Sequence, residues 1–278
     1  MINLALDVVT TAGILFVVAS GLLVIYGVLR VINFAHGAFL TAGAYVPVVA
    51  GWGGVSPWLA APLAGALGGL VGLAIERVIV RPLYRRPLDA ILATWGLGLV
   101  IGQLLTLGFG REVQFAPAPL SGTAHFGGAD YSVWRLLLAG VAVAIGGGFT
   151  LLLNRSRLGL TARAVIMNED LARALGINTR AVRGITFALG GALAAAAGAL
   201  LTPLSSVDPN MGVPYLINAF MLVMVSGASF GALAAASLVF GGLQVLVSNY
   251  ISTVFGGLVI ALTAALLLRV RPTGFVRG

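Results

Sequence analysis

Long apolar runs broken by clusters of arginine limit what this chain can be. From Val8 to Leu268 the runs repeatedly approach or exceed 20 residues, and about 20 apolar residues carry a helix across a bilayer core. Backbone in lipid must satisfy its own hydrogen bonds, which leaves helices or closed barrels. Only 9% of the residues are charged, against about 25% in a soluble domain. The expected fold is an all-α integral membrane protein, a polytopic bundle of about 8–9 transmembrane helices, forming a single transmembrane domain over residues 1–278.

The arginines orient the spans. Arg77, Arg81, Arg85 and Arg86 share one short loop, six more lie between 154 and 183, and Arg269, Arg271 and Arg277 follow the last run. Basic loops stay in the cytoplasm. The stretch 110–132, with Pro117, Pro119, Gly122, Gly127 and Gly128, is poor in arginine and suits the outside. The spans are expected near Val8–Leu29, Val31–Gly51, Pro57–Val80, Leu88–Phe109, Val133–Leu153, Gly184–Leu204, Phe230–Val247 and Tyr250–Leu268. The N-terminus is then outside and the C-terminus inside. Tyr215–Ser226 is apolar but short, and the residues leave open whether it crosses or re-enters. Met1–Asp7 lacks the basic region of a cleavable signal, so the N-terminus is expected to be retained. Small residues, as in Gly65–Gly69 and Gly190–Ala197, favour close helix packing. A faint internal echo pairs Phe34–Phe39 with Ser226–Gly231, both small, polar-tinged breaks beside apolar runs.

Composition also excludes chemistry. Every basic residue is Arg. Without lysine there is no P-loop to bind ATP and no Schiff base. The absence of cysteine removes disulfides, thiolate nucleophiles and cysteine metal sites. With two histidines, no metal centre or cofactor is expected, and no paired carboxylates or nucleophile triad appear. The net charge of +8 follows membrane topology, not nucleic acid, because the arginines sit at the ends of apolar runs. A stand-alone channel or secondary transporter would carry ionisable residues mid-span, and almost none are seen.

Within 154–183 the signals define a short helix, Glu169 to Leu175. Asn168 is its N-cap, and Glu169 and Asp170 favour the positive helix start. Gly176 supplies the left-handed residue at its end, and Asn178 or Thr179 caps the next helix. Two turns are marginal alone, and Leu171 and Leu175 share a face that needs a covering surface. The residues leave two readings: a partner protein at the cytoplasmic side, or lipid head groups. Polar residues in or beside the spans are candidates for a translocation path: Asn33, His36, Thr94, Gln103 and Asn218. Each has a structural alternative as a satisfied interhelical hydrogen bond. Glu76 beside Arg77 reads as an interfacial ion pair, and His125 as a solvated loop residue.

Several motifs bring in a family. Ile32–Gly37 with Gly43-Ala44-Tyr45 resembles the first signature of branched-chain amino-acid permease subunits of ABC importers. Arg81–Tyr84, Leu88-Asp89 with Leu92–Gly96, Arg157–Gly159, Ala162–Ala164, Asn168, Leu175–Ile177 and Arg271–Gly274 match as well. The resemblance covers nearly the whole chain. It implies a multi-pass inner-membrane protein of a bacterium, an ATP-binding subunit docked on Asn168–Ile177, a second homologous permease subunit and a solute-binding protein outside. Leu88–Gly96 and Tyr215–Met221 look closest to the urea and short-amide branch, where the position of Asn218 is usually acidic. Ser226–Ser229 stands where the family commonly has a Gly-Gly pair. Branched-chain amino acids, urea and short amides all remain as substrates.

Overall fold

A computed structural model of the chain describes residues 1–126, 129–271 and 274–275. Gly127, Gly128, Pro272, Thr273 and Arg277, invoked above, lie outside the described residues. The chain is a helical membrane bundle. Among the described residues, seven helices are long and apolar enough to cross a bilayer, and the shorter Gly212–Ser226 joins them. In order they are α1 (Ile2–Leu29), α2 (His36–Trp52), α3 (Pro57–Ile75), α4 (Pro87–Phe109), α5 (Val133–Arg155), α6 (Arg157–Met167), α7 (Glu169–Ala174), α8 (Thr179–Leu201), α9 (Gly212–Ser226), α10 (Phe230–Tyr250) and α11 (Thr253–Val270). A π-helical turn, Glu76–Val80, and a 3-10 turn, Arg81–Leu83, extend α3.

α1 is apolar around its whole circumference and mostly buried, as befits a helix enclosed by others. With α8 it forms the centre of the bundle. Close approach depends on glycine. A Cβ on Gly68 would lie 2.6 Å from the Gly191 carbonyl oxygen, and one on Gly191 would lie 2.8 Å from that of Gly68. The small-residue runs therefore do bring α3 and α8 into backbone contact.

The two ends of the bundle are distinct. At one end Asp7 accepts hydrogen bonds from Tyr131 (2.8 Å) and Arg135 (2.9 Å), and Trp134 donates to the Leu200 carbonyl (3.1 Å). Residue 114 bridges to 207 at this end. At the other end lie Arg30, the loop 76–86, the stretch 155–183, and Phe275, whose N–H donates to Val225 (2.8 Å). The arginine-rich end is the one that the positive-inside bias assigns to the cytoplasm.

Two crossings are broken. The Nε2 of His36, at the start of α2, bonds the Val18 carbonyl at 2.9 Å. Val18 lies 11 residues before the end of α1, about 16 Å along the helix. The chain therefore climbs back into the bundle as non-helical backbone through Arg30–Ala35 before α2 begins. Arg30 starts this ascent with a left-handed φ of 55°, and among the described residues it alone has positive φ without being glycine. Val31, Asn33 and Ala35 are buried, which shields irregular backbone from lipid. The second break is Ser205–Met211. It leaves the outer end and descends to Gly212, whose N–H donates to the Thr41 hydroxyl at 3.0 Å. α9 then runs to the cytoplasmic end. Tyr215–Ser226 thus belongs to α9, which is about 22 Å long and follows the descending segment. The break that answers 30–35 is thus 205–211. The expected partner, 226–231, is a turn at the cytoplasmic end, with Gly227 at φ 62°.

Three local expectations need correction. The stretch 154–183 holds two helices rather than one. Ser156 caps α6 by accepting from the Gly159 N–H (3.0 Å). Gly159, a weak helix former, concealed it. A side chain there would collide with the Leu152 and Leu153 carbonyls. The outer loop is not wholly irregular, since Thr123–Phe126 and Ala129–Ser132 form an antiparallel hairpin with Thr123 opposite Ser132. Glu76 pairs with Arg81, not Arg77. The irregular turn directs Arg81 back onto its carboxylate at 2.8 and 3.1 Å.

Candidate translocation pocket and cytoplasmic docking helix

Where the two broken spans meet, a cavity of about 640 Å³ opens between α2, α4, α9 and the descending segment. Its walls include Phe34, Trp95, Leu99, Val213, Leu216 and Ile217, and its polar groups are Thr41, Gln103, Thr106, Arg111, Asp208 and Asn210. Both helices that start at its edge, α2 and α9, begin without a side-chain cap. α1, α3, α4 and α5 also start without one. At α9 the Gly212 N–H is taken by Thr41, the Val213 N–H by the Asn210 carbonyl, and Pro214 has none, so that start offers a positive dipole end rather than free donors. Asp208 accepts from the Asn210 N–H at 2.8 Å, which shapes the turn leading into α9.

Of the five path candidates, Gln103 lines this cavity. Asn33, His36, Thr94 and Asn218 lie outside its lining. Thr94 is buried; its hydroxyl accepts the Phe34 N–H (3.2 Å) and donates to Ile91 (3.0 Å), tying α4 to the first break. Asn33 folds that break by accepting the Ala35 N–H at 3.1 Å. His36 fixes the start of α2 against α1. Asn218 is half-buried on α9, next to the lining residue Ile217. Sequence reading missed Thr41, Thr106, Arg111 and Asp208. Asp208 and Asn210 lie outside the apolar runs, and only the descent of 205–211 brings them to the cavity.

On the cytoplasmic face α7 has the anticipated form. Asn168 Oδ1 accepts the Leu171 N–H (3.0 Å), and Glu169 and Asp170 occupy the first turn. Gly176 has φ 85° and Asn178 caps α8. Leu171 and Leu175 are 57% and 72% exposed, an apolar edge on a very short helix. Glu169 pairs with Arg173 at 3.0 Å and with Arg183 of α8. The Arg183 guanidinium lies 4.4 Å above the centre of the Tyr84 ring. Burial, then the hydrogen bond to Glu76, pushes the Tyr84 phenol well above its ordinary range, so Tyr84 is the donor to Glu76.

A bundle with two helix breaks and a partly polar cavity between them suits solute passage. Residues 4–270 match the family described as the branched-chain amino acid transport system permease component. The chain belongs to that family. It is a multi-pass permease of the plasma membrane. It is 30% identical to the high-affinity branched-chain amino acid transport system permease protein BraD of Pseudomonas aeruginosa, over 93% of this chain and 90% of the relative. It is 29% identical to LivH of Salmonella typhimurium, a permease protein of the same kind of system, over 96% of this chain and 92% of the relative. A solved structure, PsaBC from Streptococcus pneumoniae in complex with Fab, matches with a TM-score of 0.50 at 16% identity. It covers 95% of this permease and 89% of that chain, a likeness of fold alone.

Proposed function

We propose that this permease is the membrane-spanning subunit of a bacterial ABC importer that brings branched-chain amino acids across the inner membrane. A separate pair of ATPase subunits supplies the energy, since the chain has no lysine for a P-loop of its own. A second, homologous permease subunit and an external solute-binding protein complete the machine. The chemistry of the cavity carries the substrate assignment. A zwitterionic amino acid places its carboxylate toward the start of α2, where Gly37 and Ala38 line the cavity. Its ammonium faces Asp208, and its branched chain rests on Leu99, Val213, Leu216 and Ile217. Asn33, His36, Thr94 and Asn218 serve the path by holding its walls, and Gln103 faces the solute.

The ATPase docks on α7 and its flanks, with Asn168, Glu169, Asp170 and Gly176 fixing the helix and Leu171 and Leu175 forming the contact. A two-turn helix with an exposed apolar edge needs a covering surface. The capped geometry presents that edge to protein at the cytoplasmic end. The test is reconstitution with the ATPase, second permease and binding protein in vesicles, followed by uptake of labelled leucine, urea and acetamide. ATP-dependent leucine uptake is expected, with Asp208→Asn raising the half-saturating concentration roughly tenfold, equivalent to about 1.4 kcal/mol. Uptake of urea or acetamide without leucine would overturn the substrate assignment.

A further inference from the structure

The α7 helix continues into α8, yet α8 contributes no wall to the cavity between the broken spans. α4 does, through Trp95, Gly98, Leu99, Gly102 and Gln103. Movement of α7 needs a side-chain route to α4. Arg183 provides one. Its guanidinium bonds Glu169 of α7 on one side and stacks on Tyr84 on the other. Tyr84 donates to Glu76, whose side chain is fully buried and also holds Arg81 through two hydrogen bonds. Arg86 follows, its N–H bonded to Leu83 at 2.8 Å, and its carbonyl accepts the Ala90 N–H in the first turn of α4 at 3.0 Å. Four residues further, Thr94 grips the first membrane break at Phe34. Covalent chain, hydrogen bonds and the one cation–π contact of Arg183 on Tyr84 thus link α7 to the cavity wall.

We infer that Arg183 is a positioning residue that transmits displacement of α7 through Tyr84 and Glu76 to α4, and so sets the width of the cavity. The inference rests on α7 being the ATPase contact. Two further features fit a switching element better than a rigid brace. The buried Arg183 Nε has no acceptor among the described residues, so a donor is left for another arrangement to satisfy. Glu76 opens a π-helical turn, an irregularity that recurs at functional sites. α8 also seats close against the carboxylate, because a Cβ on Gly184 would meet Glu76 Oε2 at 3.1 Å. Rotation of α8 at Arg183 therefore moves Glu76 as well.

The experiment uses the assembled complex in nanodiscs, with and without a non-hydrolysable ATP analogue, and follows backbone hydrogen exchange in 76–90 and 168–178. Wild type is expected to change in both segments. Arg183→Met should change in 168–178 only, and its solute transported per ATP hydrolysed should fall roughly fivefold or more, the lower end of a typical coupling between sites. Tyr84→Phe keeps the ring under Arg183 but loses the bond to Glu76. It should show the same separation, and it serves if Arg183→Met assembles poorly. Arg183→Lys retains the pair with Glu169 and should recover part of the ratio. If 76–90 still responds in Arg183→Met and Tyr84→Phe, with transport per ATP unchanged, the relay is overturned while α7 docking stands. If 168–178 is silent in wild type and Leu175→Asp transports normally, the docking assignment fails and the relay fails with it.

Discussion

Gln114 and Val207 exchange two backbone hydrogen bonds, each 2.9 Å long, and this pair anchors the outer loop to the segment that descends toward α9. Val207 is fully buried. Gln114→Pro would remove one donor and leave the Val207 carbonyl without its partner, at a cost of about 1–3 kcal/mol for a buried unsatisfied group. The descending segment carries Asp208 and Asn210 to the cavity. Uptake should therefore drop more than the amount of protein in the membrane. A fall in uptake that merely tracks protein amount would show that the bridge has no part in shaping the cavity.

Backbone contact between α3 and α8 makes a second prediction. Gly191→Leu puts a side chain against the Gly68 carbonyl, and overpacking of this kind costs about 1–3 kcal/mol or more. Gly108→Leu is the control, since nothing lies within 4 Å of a Cβ there. Thermal unfolding of detergent-extracted protein should show a clear decrease for the first and little change for the second. Equal behaviour would mean that the helices do not meet at these glycines.

Helix-scale features were legible because each depends on local chemistry. The apolar runs define the spans, Asn168 and Gly176 bound α7 by capping and left-handed geometry, and the arginines mark one end. The cavity was legible only in part. Gln103 is a polar residue inside an apolar run, so it stood out. Asp208 did not, because it occupies a polar Asp-Pro-Asn turn that resembles any surface loop. What brings it to the path is the pairing of residue 114 with 207, a contact between distant segments that no local pattern encodes. Asn33 and His36 show the reverse case. Their polarity is conspicuous, but it serves to fold and fasten a break in the backbone.

Sidedness can be read on the intact chain, which has no cysteine of its own. The His125 side chain is 77% exposed and Leu171 is 57% exposed, so a single cysteine at either position is reachable. A membrane-impermeant maleimide should label position 125 from outside in whole cells. Position 171 should be labelled only after the membrane is opened. The opposite pattern would invert the topology assigned from the arginines.

The last prediction separates docking from folding. Leu175 is 72% exposed, and substitutions at such surface positions usually change stability by no more than about 0.5 kcal/mol. Leu175→Asp should leave the free permease folded and present at normal levels. Once an ATPase covers that edge, the same aspartate becomes a buried charge without a partner, which costs several kcal/mol. The defect should appear only in the complex. Gly176→Pro acts differently. Its φ of 85° is closed to proline, whose ring holds φ near −65°, and its N–H now bonds Arg173 at 3.0 Å. That variant should disturb the end of α7 itself. Each variant is purified with its ATPase, and ATP turnover is measured with and without loaded binding protein. Leu175→Asp should lose the stimulation through weakened association, and Gly176→Pro should lose it even when association persists. Normal co-purification with normal stimulated turnover in both would remove α7 as the site where ATP energy enters.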